Sequence, residues 1–463
     1  MTTVFAPTFP PPGPSSKVFG FDLFNQAKAD YLGHIENLKA KFGDVVMSQV
    51  VHEKVFDVHH PELIRTLLVD NASALIRWER GIEVFSTIHG QSILITEGET
   101  WKRQRRMLQP GFSTQRMAWY CTLMGRATEA ALSALPNQAA VEIEFEQWAH
   151  QLTMDVILQT LFGASNSSLC TPALRESAIS AVSTLSEHGM AELFWPVSAP
   201  DWMPHKATKR RAKKVLNDLI HDNIRLRREY PQNQSTEVPD VLGMLMSVRD
   251  GAGDGRGLSD EEIRDQCMTI FLAGHDTTAT ALTWWAWLLA QHPDAAKRAK
   301  VEVDTVLADK APSYEDTTRL PYVTSTLKEA LRLYPPASAL ISRRTLRDVQ
   351  LGQWTITKGS MVRITPWVVH RDARWFAEPA CFQPERFDAS CSSLSRQSFM
   401  PFGTGPRVCI GSHFAMTEMS LIAIHLLQRF TLCTNMPAKA QFKVLLTPQG
   451  GMPLRLVKRD ICL

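Results

Sequence analysis

The 463-residue chain is poor in the features that announce most functional classes. Cysteine is scarce: eight residues (121, 170, 267, 381, 391, 409, 433 and 462), none in a C-x-x-C pair. That excludes a disulfide scaffold or structural zinc framework and fits a reducing cytoplasm. Charge of one sign is missing too, with 50 Lys and Arg against 47 Asp and Glu, a net of +3. So even a balance argues against a general nucleic-acid binder. The opening MTTVFAPTFPPPGP has no basic segment followed by an apolar one, so neither a signal peptide nor an N-terminal anchor is expected. Long apolar runs are absent as well. The longest, Met268 to Gln291, carries His275 and Asp276 and is rich in Thr, which makes spanning hydrocarbon costly. It reads as a buried helix, and no transmembrane anchor is expected. No repeat is evident.

What is present is a 44% apolar composition, enough for a large core. At roughly 150 residues per domain the length allows several domains or one large one, and residues 1–463 read as one, with a Pro-rich lead-in over 1–15. Most of the chain has helical spacing, whereas Asp44 to Val58 and Val349 to His370 are rich in β-branched residues and turn formers and read as strands. The expected class is mainly α with small β-sheets. Asp250 to Gly257, with four glycines, reads as a flexible connection within the domain. Ser259-Asp-Glu-Glu262 has capping-box spacing, with acids opposing the helix dipole. A long helix should run from there to about His292-Pro293.

One decapeptide concentrates the chemistry. Phe402-Gly-Thr-Gly-Pro-Arg-Val-Cys-Ile-Gly411 places three glycines, an arginine and one cysteine just ahead of a helical run from Ser412 to Phe430. Glycines let the backbone turn sharply toward the sulfur, and a helix N-terminus favours a negative charge. A thiolate presented this way suits a soft metal; a lone cysteine beside a Gly-rich turn is otherwise an ordinary buried thiol. The string F-G-x-G-x-R-x-C-x-G resembles the haem-ligand loop of the cytochrome P-450 superfamily, the haem-thiolate monooxygenases. The resemblance implies haem b as cofactor, Cys409 as iron ligand, Arg407 on a haem propionate, and Phe402 and Gly411 in the loop around the sulfur. It also implies a fold with a long central helix over a haem held by the cysteine loop. An anionic sulfur pushes electron density toward iron and favours O–O cleavage.

Further segments occur in that family's order, from about Pro11 to Leu456. Ala273-Gly-His-Asp-Thr-Thr278 resembles its A-G-x-D/E-T motif. Glycine inside a helix costs about 1 kcal/mol relative to alanine, and here the missing side chain at Gly274, beside Ala273, would leave room for oxygen. The Thr277 hydroxyl can bond a carbonyl one turn back and bend the helix; the resemblance implies that it donates a hydrogen bond to the bound oxygen and makes Asp276 a proton relay. Taken alone, the hexapeptide equally fits a kinked core helix. Glu329-Ala-Leu-Arg332 by itself is an ordinary helix ion pair, but with Pro384-Glu-Arg386-Phe it resembles the family's structural network of Glu329, Arg332 and Arg386. Trp101 and Arg105 share a helix face and, with Arg343, match propionate-binding positions. Lys102, Arg103 and Arg106 form a basic patch, either a solvated helix face or a docking surface for an electron donor. His370 reads as a satisfied core histidine.

The stretch after Cys409 is too short for a flavin or iron–sulfur domain, so electrons are expected from a ferredoxin or flavodoxin with an NAD(P)H-dependent reductase, with O2 as co-substrate. Candidate substrate contacts are Ile88, placed in a loop before the Trp101 helix, and Leu272, Ala337, Leu340, Leu446 and Thr447. They are mostly apolar, so a hydrophobic substrate such as a fatty acid, terpenoid or other secondary metabolite is expected. Phe194-Trp-Pro196 and Trp202-Met-Pro204 resemble the family's lid region. Two alternatives remain: a peroxide-using haem-thiolate peroxygenase or isomerase, and a non-catalytic haem sensor.

Overall fold

The structure, a computed structural model, describes residues 10–16, 20–163, 171–193, 203–230, 240–388 and 397–459. Phe194 to Pro196 and Trp202 fall outside these. The chain divides into two compact units: Met1–Ile82 with Arg332–Cys381 and Ala389–Cys409, and Glu83–Leu331 with Phe382–Asp388 and Ile410–Leu463.

The first unit is built on a five-stranded sheet in the spatial order Val45–Val50, Glu53–Val58, Met361–Arg363, Arg343–Thr345, Leu75–Arg77. Only the contact between Glu53–Val58 and Met361–Arg363 is parallel. There the fully buried Asp57 takes a two-pronged bond from Arg363, at 2.8 and 2.7 Å, a geometry that lets a buried charge pair stand. The Pro-rich lead-in is tied down, since the Met47 amide donates to the Pro12 carbonyl at 3.0 Å. Val45, Phe56, Val58 and Val362 from the sheet pack with Ile64, Leu67, Val369 and Met400 into one core, and Met400 stands just ahead of the cysteine loop in sequence. The segment Val349 to His370 is not strand throughout. After the hairpin Val349–Leu351/Trp354–Ile356 and the strand Met361–Arg363 it ends as a helical turn, Pro366–Val369, because Pro366 has no amide to give a ladder and its fixed φ suits a first helical position.

The second unit is organised around the helix Asp260–Gln291. Its N-terminus carries the expected capping box, with Ser259 and Glu262 each bonding the other's backbone amide, and Pro293 opens the next helix. The helix packs against Phe145–Phe162 and Ser412–Arg429. Its two buried indoles are satisfied by the Leu446 carbonyl (Trp284, 2.6 Å) and the Thr326 hydroxyl (Trp285, 2.9 Å), as buried donors must be. A three-stranded sheet, Ala140–Glu144, Pro453–Lys458 and Phe430–Cys433, and the pair Ala440–Phe442/Leu446–Pro448 complete it. Among the described residues no helix is long and apolar enough to cross a membrane.

Candidate active site

In the first unit the cysteine loop is closed by its own backbone. The amide of Gly403 donates to Met400, that of Val408 to Gly405 and that of Cys409 to Phe402, each at 3.0 Å. Two of the glycines are demanded by geometry: Gly403 (φ 75°) and Gly405 (φ 77°) sit in the left-handed region, and a Cβ on Gly405 would lie 2.2 Å from the Leu68 carbonyl oxygen. Gly411 is different. It precedes the helix Ser412–Arg429 with φ −88°, a conformation open to any residue, so its φ does not require glycine. Phe402 and Arg407 are half-buried, whereas Cys409 is exposed. A thiol outside any disulfide is thus held at an accessible point of a rigid turn.

That turn is braced from behind by His370, which is fully buried. Its Nε2 accepts from the Met400 amide at 3.0 Å, so its Nδ1 carries the hydrogen donated to the Arg332 carbonyl at 3.2 Å. Burial, then the charges of Arg332 and Arg371, lower its pKa to about 3, so it stays neutral. Arg332, also fully buried, donates to the carbonyls of His370, Pro379 and Cys381 at 2.8, 2.7 and 3.0 Å. Its guanidinium therefore organises the backbone of the loop's support. In the second unit Glu329 accepts from Arg386 Nε at 3.3 Å and from the Gln383 amide at 2.9 Å. Glu329 and Arg332 are both fully buried.

The long helix opens in one place. Most of its middle is buried, yet Ala273 is exposed and Ile270, Gly274 and Thr277 are partly so, one face at helical spacing. Thr277 donates to the Ala273 carbonyl at 2.6 Å, the expected back-bond, and its oxygen is left as an acceptor. Gly274 serves packing: a Cβ there would meet Ile157 Cδ1 at 2.9 Å, so the glycine admits the neighbouring helix. Asp276 is held by two histidines, with Oδ1 at 2.8 Å from His275 Nδ1 and 3.4 Å from His150 Nδ1. Burial would raise its carboxyl, but the His275 charge and hydrogen bonds from both rings outweigh this and hold it well below the usual carboxylate range. Besides His150, a second group was missed by sequence reasoning. Glu418, buried in the apolar helix Ser412–Arg429, bonds the Thr278 hydroxyl, and burial pushes its carboxyl well above the usual range. Its only sequence signal is an acid inside an apolar run.

The cationic positions separate into two kinds. On the helix Gly98–Leu108, Lys102 pairs with Glu99 at 2.7 Å, Arg103 with Glu262 at 2.7 Å, and Arg106 with Asp250 at 3.1 Å. The basic patch is thus neutralised from within the chain, and the Asp250 to Gly257 segment, with Asp250 only 4% exposed, is tied to it by these pairs. Trp101 and Arg105 lie half-buried elsewhere on that helix. In the first unit Arg344 is committed to Glu53 and Glu79, at 2.6 and 2.9 Å, whereas its neighbour Arg343 donates to the Ile341 carbonyl.

The candidate substrate positions scatter. Ile88 is not in a loop but in the helix Glu79–His89, and lies in the path of a Cβ on Gly189 at 3.2 Å. Leu446 is fully buried and Leu272 nearly so, while Thr447, Ala337 and Leu340 are half-buried; Leu340 packs on the first unit's core.

In the first unit a soft thiol outside any disulfide stands on a rigid turn that also carries the half-buried Arg407, a donor set whose chemistry fits a haem iron and a propionate. A family model described as Cytochrome P450 matches residues 10–454. The chain is 34% identical over 382 residues to cyclooctatin synthase of Streptomyces melanosporofaciens, covering 82% of this chain and 81% of that protein. Cyclooctat-9-en-7-ol 5-monooxygenase of the same organism is 30% identical over 395 residues, 84% of this chain and 83% of the relative. Cytochrome P450 4F3 of Rattus norvegicus is 29% identical over 469 residues, 97% and 89%.

Proposed function

The chain belongs to the cytochrome P450 family, and from that premise we propose how its residues divide the work of a haem-dependent monooxygenase. It is an oxidoreductase that incorporates oxygen from O2, with haem b as cofactor and electrons from redox partners. Bound haem supplies the oxygen activation and transfer, and the protein's own groups bind, orient and move protons.

Cys409 holds the iron as a thiolate, and the exposure of its sulfur on a strapped turn is the observation that carries the reading. Phe402 shields the sulfur, Gly411 lies beside it, and Arg407, Arg343, Trp101 and Arg105 take the propionates. Arg332, with Glu329 and Arg386, keeps the supporting backbone in place and performs no chemical step. Ala273 and Gly274 line the open strip. Thr277, whose hydroxyl already donates to Ala273, accepts a proton-bearing partner on its free lone pairs, and Asp276 delivers protons to that turn.

The substrate is an apolar small molecule. The name of one relative, a 5-monooxygenase of cyclooctat-9-en-7-ol, favours a terpenoid over a fatty acid. Leu272, Ala337, Leu340 and Thr447 are the contacts; Ile88 and Leu446 act from behind as packing. A ferredoxin or flavodoxin with its NAD(P)H reductase delivers the electrons to a cytoplasmic enzyme in which residues 1–463 work as one catalytic domain. The test uses isotopically labelled dioxygen with a ferredoxin–reductase pair and a panel of cyclic terpenoids. Labelled product formed only with O2 and NAD(P)H is expected, while efficient turnover with peroxide alone would make the protein a peroxygenase.

A further inference from the structure

His275, Asp276 and His150 make a group whose protons can be counted from geometry. The His275 side chain is 1% exposed, that of Asp276 18% and that of His150 21%. His275 Nε2 lies 3.0 Å from the His150 carbonyl oxygen. A carbonyl only accepts, so this nitrogen carries a hydrogen. His275 Nδ1 lies 2.8 Å from Asp276 Oδ1. A bare ring nitrogen facing a bare carboxylate at that distance leaves two buried acceptors opposed, which is costly. A second proton therefore sits on the His275 ring, facing the carboxylate. His150 closes the group, its Nδ1 at 3.4 Å from both Asp276 Oδ1 and His275 Nε2, and it is the more exposed of the two imidazoles.

We infer that these three side chains form a proton store on the long helix, with His150 as its port to solvent. Asp276, the group proposed for proton delivery, is then recharged through the imidazoles: a proton leaves the His275–Asp276 pair and is replaced from His150, which regains one from water. His150 and His275 are positioning residues acting through Asp276, and the inference rests on the role proposed for that carboxylate. The charged groups facing the store are few. Glu146, one turn before His150, has its carboxyl pushed up by burial, with Glu144 and Lys443 beside it; the carboxyl of Glu418, which bonds Thr278 of the long helix, is also pushed up by burial.

The experiment has two arms on the holoenzyme. In its reduced, carbon-monoxide-bound and diamagnetic form, isotope-labelled histidine is used to count ring hydrogens by NMR at neutral pH. The His275 ring should hold two hydrogens, and Asp276→Asn should leave it with one. In turnover, product per NAD(P)H is followed against pH for wild type, His150→Gln and His150→Phe. Glutamine keeps a hydrogen-bonding group but cannot carry a proton, so both variants should lose coupling several-fold and lose its dependence on pH, while His150→Gln melts like wild type. A singly protonated, unshared His275 in wild type, or a wild-type pH profile in His150→Gln, overturns the inference. Unchanged coupling in Asp276→Asn, with His275 doubly protonated in wild type, would instead sink the role proposed for Asp276.

Discussion

His370 in the first unit and His275 in the second are equally buried, yet their rings are set to opposite purposes. His370 faces a donor on one side and an acceptor on the other, the Met400 amide and the Arg332 carbonyl. One hydrogen satisfies both, and the ring becomes a neutral brace for the cysteine loop. His275 faces acceptors on both sides, the His150 carbonyl and the Asp276 carboxylate, and one hydrogen is not enough. Burial does not decide what a core histidine does; the polarity of its two partners does.

The comparison can be broken from either end. The largest effect is expected at what His370 supports: Cys409→Ala should abolish both the thiolate-type carbon monoxide spectrum and O2-dependent product, with the far-ultraviolet circular dichroism of a folded protein retained. Retention of that spectrum would mean another ligand. His370→Phe keeps the ring's bulk but strands the Met400 amide and the Arg332 carbonyl. Each unsatisfied buried group costs about 1–3 kcal/mol, so the denaturant midpoint should drop clearly, and an unchanged midpoint would remove the brace. On the other helix Thr277→Ala should leave stability nearly untouched while peroxide released per NAD(P)H rises several-fold; unchanged coupling would take Thr277 out of the mechanism.

The smallest effect sharpens the contrast through pH. His370 is lowered to about 3, and His59, His89 and His425 to about 4, in every case chiefly by burial. Unfolding lets each return to its ordinary value of 6.5 and bind a proton the folded state refuses. Their contribution is therefore present above about pH 6.5 and is lost as pH falls toward 4, by about 1.4 kcal/mol per pH unit for each such group. His370→Gln should flatten that slope by one proton in urea titrations at stepped pH, whereas a slope unchanged by the substitution would show that His370 is already protonated in the fold.

Much of the molecule is legible in its sequence because it obeys local rules. The Ser259–Glu262 capping box, the long helix it opens, the Thr277 back-bond and the turn around Gly403 and Gly405 follow from residues within one turn of each other. His370 as a satisfied core group follows from its type alone. What escapes depends on partners far away in sequence. His150 has no motif of its own and acquires meaning only where two helices pack. The arginines of the Trp101 helix look like a patch until Asp250 and Glu262 arrive to neutralise them. Gly274 suggests open space, but which side of a helix a missing Cβ faces is set by the neighbour, here Ile157. Ile88 reads as loop although it is helical, because it stands one residue from the end of Glu79–His89, and helix ends are where local signals are weakest. Glu418 is invisible to periodicity, which counts an acid in an apolar run as noise.

The central claim is that Cys409, held out on its strapped turn, ligates the iron as a thiolate. The most direct measurement is the carbon monoxide difference spectrum of the dithionite-reduced holoenzyme, taken beside Cys409→Ala. A Soret band at the long wavelength that gives the family its name, present in wild type and lost in the variant, is the predicted result. A wild-type band at the shorter wavelength of histidine- or thiol-ligated haem, or a long-wavelength band that survives the substitution, would contradict it.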